Sequence, residues 1–155
     1  MPGLALDVCA EEFTKPQEKV AGADLYISVV RKDTQISKGI LVQTKRREAM
    51  LRSGEPRRLG NQCKQMRRRS KKSSYVWIYE DDHVLSVKAP QASKPILQRV
   101  TEASSAGELI ADGLRCNRGD EDIGRKLSAE PVEGILEVMK RLSVPTGLDF
   151  VVRLD

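Results

Sequence analysis

The 155 residues carry 27 lysines and arginines against 22 acids, a net charge of +5, with 39% hydrophobic and 32% charged residues. That length and balance fit one soluble globular domain, 1–155, with a core of its own, and exclude a fibrous or wholly disordered chain. No apolar run approaches the roughly 20 residues that span a bilayer, and MPGLALDVCAEEF has acids where a secretory signal has lysines and a longer apolar stretch, so the expectation is a cytoplasmic protein with no membrane partner.

In chain order, residues 4–14 (LALDVCAEEFT) mix Leu4, Leu6, Val8 and Phe13 with acids and read as a short first helix. Past Pro16 and Gly22, the β-rich run Leu25 to Val30 and the later run GILVQTK, separated by the polar RKDTQISK, predict the two strands of an antiparallel hairpin. Pro56 to Arg69 sets Leu59, Cys63 and Met66 four and three residues apart, one apolar stripe on an otherwise cationic helix. Around that helix, Lys45 to Lys72 hold twelve lysines and arginines against two acids, Glu48 and Glu55. A positive field so localised is the footprint of a phosphate-backbone partner or, in the plainer reading, a solvated basic face. SYVWIY (74–79) and HVLSV (83–87), joined by the acidic turn EDD, predict two further strands. Ser104 or Ser105 caps a helix over 106–116, with Leu109, Ile110 and Leu114 on one face. Residues 117–130 are polar and glycine-containing and read as a long loop, its Asp120-Glu121-Asp122 solvated like the Glu80-Asp81-Asp82 turn, since neither has the ligand spacing of a calcium loop. Pro131 opens the last helix, PVEGILEVMKRL, and LDFVVRL closes the chain as a strand.

Cys9, Cys63 and Cys116 are far apart and odd in number, with His83 as the one histidine, so the spacing supports neither a zinc site nor a disulfide framework and reads as free thiols. Tyr75, Trp77 and Tyr79 alternate along one strand, which suits one face of a sheet or, less simply, a base-stacking platform.

The chemistry gathers at the hairpin. Asp24 stands where the turn AGAD becomes the first strand, and Gln43 and Lys45, two residues apart, share one face of the second. Antiparallel pairing brings the start of one strand beside the end of the other, so all three converge. Hydrolysis of a phosphodiester needs a divalent cation on hard oxygens, to polarise the phosphoryl group and acidify a water. Asp24, the Gln43 side-chain carbonyl and a backbone carbonyl, that of Thr44, offer such oxygens, and Lys45 can hold the attacking water and balance charge on the phosphorane.

The pattern Gly22-Ala23-Asp24, then Gln43-Thr44-Lys45 within GILVQTKRR, resembles the PD-(D/E)xK nuclease superfamily, and more closely its Q-x-K branch, the Mrr-type restriction endonucleases. The resemblance covers a motif core of about residues 11–80; 104–155 would add helical packing and a last strand. It implies a restriction-endonuclease-like α/β fold, a mixed sheet flanked by helices with the motif strands central. It also implies a Mg2+ (or Mn2+) cofactor, a nucleic-acid substrate, DNA in preference to RNA, roles in restriction or defence, and a homodimer as one arrangement of two sites on two strands. A glutamate from the first helix completes the site in such nucleases, with Glu18 preferred here and Glu11 and Glu12 as alternatives. Ala23 replaces the usual proline and Gln43 the usual second acid, which lowers the negative charge available to a metal. Arg46, Arg47, Arg57, Arg58, Lys64, Arg67 and Arg68 would contact the phosphate backbone, and Gln62, on the helix, would reach the site or the scissile phosphate. Two other classes fit the same residues: a non-catalytic nucleic-acid-binding module on this fold, and an interaction domain whose basic patch binds an acidic protein.

Overall fold

In the computed structural model, which describes residues 4–13, 22–89, 104–115 and 118–154, the first element is a strand, β1 (Leu4–Glu12), and not the helix expected there. Leu4, Leu6 and Val8 alternate with Ala5, Asp7 and Cys9, and that period of two is realised because β7 (Thr146–Leu154) offers an open edge. The two strands pair antiparallel over nine residues, from Leu4 opposite Leu154 to Glu12 opposite Thr146. Leu6 and Val8 remain 50% and 55% exposed, so burial gave no local signal for the strand.

The hairpin follows its prediction. β2 (Leu25–Arg31) and β3 (Ile36–Arg46) pair antiparallel with Leu25 opposite Val42 and Arg31 opposite Ile36. A 3-10 turn at Glu48–Leu51 leads into α1 (Glu55–Arg69), which crosses over to β4 (Ser74–Tyr79), parallel to β3. β5 (Val84–Lys88) and the short β6 (Ser104–Ser105) complete a mixed sheet of seven strands among the described residues, in the order β1-β7-β2-β3-β4-β5-β6. The molecule is thus α/β, with the hairpin strands in the middle of the sheet.

α2 (Ala106–Leu114) starts at a capping box, in which the Ser105 hydroxyl accepts from the Glu108 amide and the Glu108 carboxylate accepts from the Ser105 amide. α2 covers one face of the sheet through Leu109, against Ile27, Val29, Ile40, Val42 and Trp77. α1 and α3 (Pro131–Leu142) cover the other, where Leu59, Cys63, Met66, Ile135 and Met139 meet Tyr26, Leu41 and Val76. Each fully buried aliphatic side chain there contributes about 1.5–3 kcal/mol. Among the described residues no helix is long and apolar enough to cross a membrane.

The polar stretch before α3 is not the solvated loop its composition suggests. Asp120 is buried, accepts from the Ser70 hydroxyl at 2.6 Å, and its backbone exchanges two hydrogen bonds with Gly39. The Tyr26 hydroxyl donates to the Ile123 carbonyl at 2.6 Å. Arg125 reaches into the sheet and forks onto Asp149 of β7, Nε to Oδ1 at 2.7 Å and Nη2 to Oδ2 at 3.1 Å, with the side chains 3% and 1% exposed. Polar side chains here serve as anchors because each finds a partner inside. The Glu80-Asp81-Asp82 turn, by contrast, lies at the surface as expected, with Asp81, Asp82 and His83 exposed.

Candidate active site

Gly22 delivers Asp24 to its place. Its φ is +73°, and a Cβ added there would stand 2.4 Å from the backbone oxygen of Gln62 on α1, so only glycine allows the turn and the helix to pack this closely. The Asp24 amide then donates to the Val42 carbonyl at 2.9 Å, which extends the β2–β3 ladder by one step and sets Asp24 beside Gln43. Opposite strand ends meet as the sequence reading required.

The Asp24 carboxylate is the hub. Its Oδ2 accepts from the Gln43 side-chain amide, from the Thr44 backbone amide at 3.1 Å and from the Thr44 hydroxyl at 3.0 Å. Gln43 is buried and its Nε2 also donates to the Thr44 carbonyl at 3.1 Å, so one NH2 group spans the two oxygens expected to hold a cation. Its other end, Oε1, is buried without a hydrogen-bond partner among the described residues, and so is Oε1 of Gln62. Native interiors rarely leave such acceptors bare, because an unpaired buried polar atom costs about 1–3 kcal/mol. Thr44 was expected to contribute only its carbonyl; its hydroxyl and amide, from the other face of β3, join the cluster as well.

Lys45 is half-buried, and its ammonium donates to Glu55 Oε2 at 3.1 Å. Glu55 is the residue the sequence reading passed over. It opens α1 behind Gly54, whose φ of +82° turns the chain into the helix. Its carboxyl titrates below the usual glutamate range, chiefly because the Lys45 ammonium hydrogen-bonds the charged form. Arg58, one turn on, approaches the same carboxylate at 3.5 Å. A signal was present: Glu55 is the one acid of α1 and lies four residues before Leu59, in line with the stripe of Leu59, Cys63 and Met66 that faces the sheet.

The other expected site residues separate. Glu18 lies outside the described residues. Glu11 and Glu12 sit at the correct end of β1, but β7 is interposed between β1 and β2, so they stand two strands, about 10 Å, away from the strand of Asp24. Of the backbone-contacting set, Arg57, Lys64 and Arg68 recur at seven and four residues along one exposed side of α1, and Arg46 and Arg58 are also exposed. Arg47 is engaged by Glu80, and Arg67 donates to the Ala89 carbonyl at 3.1 Å, tying α1 to the end of β5. Gln62 is half-buried, on the sheet side of the helix.

Neither a family model, a curated protein nor a solved structure matches this chain. The functional reading therefore rests on residues and their geometry. Among the described residues no group of three or more His, Cys, Asp or Glu side chains converges on a metal-sized space. The donors at the hairpin end are instead one carboxylate, one side-chain amide and a backbone carbonyl. Cys63 is no nucleophile, since burial pushes its thiol up to about 12, inert at neutral pH; His83 is exposed beside Asp82, and Cys116 lies outside the described residues.

Proposed function

We propose that the chain is a metal-dependent phosphodiesterase acting on nucleic acid, DNA in preference to RNA, on a restriction-endonuclease-like sheet. The observation that carries this reading is the convergence of Asp24, Gln43, Thr44 and the Lys45–Glu55 pair at one end of the two central strands, beside the first turn of a cationic helix.

The donor set fits a hard divalent cation such as Mg2+. Carboxylate, amide oxygen and backbone carbonyl are its ordinary ligand types, and the buried Gln43 Oε1 is an acceptor that no group among the described residues satisfies. An amide turned end for end offers that oxygen where its nitrogen now stands, and three oxygens then face one another, an arrangement that a cation can bridge. Asp24, Gln43 and the Thr44 carbonyl would hold the ion, which supplies a Lewis acid for the phosphoryl oxygen and a more acidic water. Lys45 orients that water and balances negative charge developing on the phosphate, Glu55 restrains the ammonium, and Thr44 fixes the carboxylate through its hydroxyl and amide. Arg57, Lys64 and Arg68 supply sequence-independent affinity for the backbone. With one carboxylate, the site binds metal more weakly than a two-acid site does.

Lys45→Ala should slow cleavage of plasmid DNA by about a hundredfold or more, the weight of a preorganised charge at a reacting phosphate, with the fold intact by circular dichroism. Equal rates for the variant and the parent would refute the assignment. The salt bridge that already neutralises Lys45 favours a second reading, a binding module without turnover. That reading expects salt-dependent DNA binding and no product with Mg2+ or Mn2+.

A further inference from the structure

A second concavity lies on the opposite face of the sheet from Gln43 and Lys45. β4 and β5 form its floor through Tyr75, Ser86 and Lys88, and α2 forms its wall from Gly107 to Arg115, with Arg118 at the rim. Its volume is about 680 Å3, within the range of small-molecule sites of about 300–1,000 Å3 and several times what one phosphate fills.

Three features describe what would fit. Tyr75 and Ser86 are 5% and 3% exposed; the Ser86 hydroxyl is buried without a hydrogen-bond partner among the described residues, and the Tyr75 hydroxyl lies beside the Arg118 guanidinium. A bare serine hydroxyl and a phenol under one cavity are donors and acceptors that a polar ligand can engage. Lys88, Arg115 and Arg118 line the cavity against two carboxylates, Glu108 and Asp112, an excess of positive charge. Glu108 is already engaged in the α2 capping box, and Asp112 holds Arg115 and Arg118 only at 3.7 and 3.9 Å, the outer limit of ion pairing. Both guanidiniums therefore keep donors for an anion. The α2 N-terminus, with Gly107 at its second position, adds backbone amides and a favourable dipole at the same cavity. Leu109 contributes an apolar surface beside these polar groups.

We infer that this cavity binds a phosphorylated small molecule of nucleotide size, a nucleoside monophosphate, with its phosphate on Lys88 and the α2 arginines and its sugar or base on Tyr75 and Ser86. The site is independent of the hairpin cluster, since Tyr75 stands beside Val42 in the β3–β4 ladder and shares its face with Trp77, away from Gln43.

The test is calorimetric titration of the full chain with each of the four common nucleoside monophosphates, with adenosine and with inorganic phosphate. At least one monophosphate should bind about tenfold or more tightly than phosphate or adenosine alone. Lys88→Met should weaken it by about tenfold, the worth of one charge-assisted hydrogen bond, while Lys45→Ala leaves it unchanged. Tyr75→Phe, which keeps the ring and removes the hydroxyl, should weaken it less. The inference is overturned if no monophosphate binds, if phosphate or adenosine binds as tightly, or if Lys45→Ala abolishes binding and Lys88→Met does not. Cleavage activity decides none of these outcomes, so the nuclease proposal and this one fail separately.

Discussion

Arg125 and Asp149 on one side, and Asp24 with Gln43 on the other, are both polar groups set against the same sheet, yet they are finished differently. The Arg125 guanidinium meets both Asp149 oxygens and the Lys126 carbonyl. At the hairpin end, three donors crowd one oxygen of Asp24 while the side-chain oxygens of Gln43 and Gln62 have none among the described residues. A closed network holds a fold together; an arrangement with acceptors to spare is poised for something it does not itself contain. The two clusters differ in burial as well, Arg125 and Asp149 being 4% and 1% exposed and Asp24 half-buried, and this contrast is the reason the hairpin end is proposed as the functional one.

The comparison can be broken most forcefully at Asp149. Asp149→Ala leaves Arg125 charged and unpaired inside the protein, and urea unfolding should show a loss of about 3–5 kcal/mol. A loss below 1 kcal/mol would mean that the network is not an anchor. Gln43→Leu should do the reverse. It removes a bare buried oxygen along with one of Asp24's donors, so stability should move by no more than about 1 kcal/mol while metal-dependent cleavage falls at least tenfold. If cleavage survives and stability collapses, Gln43 belongs with the anchors.

How far this contrast was legible in the sequence depends on how local each signal is. The β2–β3 hairpin, α1, β4, α2, α3 and β7 follow from period, turn chemistry and caps within single segments, and so does the meeting of Asp24 with Gln43, one step beyond the hairpin register, whereas Lys45 pairs with Glu55 of α1. β1 was misread since its pairing partner lies at the far end of the chain and its apolar side chains are half exposed. The burial of Asp120 and Arg125 was hidden for the same reason: composition reports polarity, and only the partners, Ser70, Gly39 and Asp149, convert it into anchorage. Glu55 was counted as an acid in a basic stretch, when its place on the apolar side of α1 was the informative property.

A smaller effect sharpens the role of Glu55. Its folded-state pKa is lowered from the ordinary 4.5 by the Lys45 hydrogen bond. The stability this contributes is thus present above the unfolded value and is lost as pH falls through the folded one. Thermal melts of Glu55→Gln should accordingly show a shallower decline than the parent on the acid side of pH 4.5 and a parallel course above it. An unchanged acid limb would remove the Lys45–Glu55 pair from the account.

The most direct measurement is cleavage of supercoiled, linear and single-stranded DNA and of RNA, with Mg2+ or Mn2+, by the parent chain beside Asp24→Asn, a change that keeps an acceptor for Thr44 and removes the charge. The expected result is metal-dependent DNA cleavage by the parent that is lost in the variant, with both folded to the same melting temperature. Equal cleavage by the two, or no product from any of the four substrates with either metal, would contradict the assignment of the hairpin end as a nuclease site.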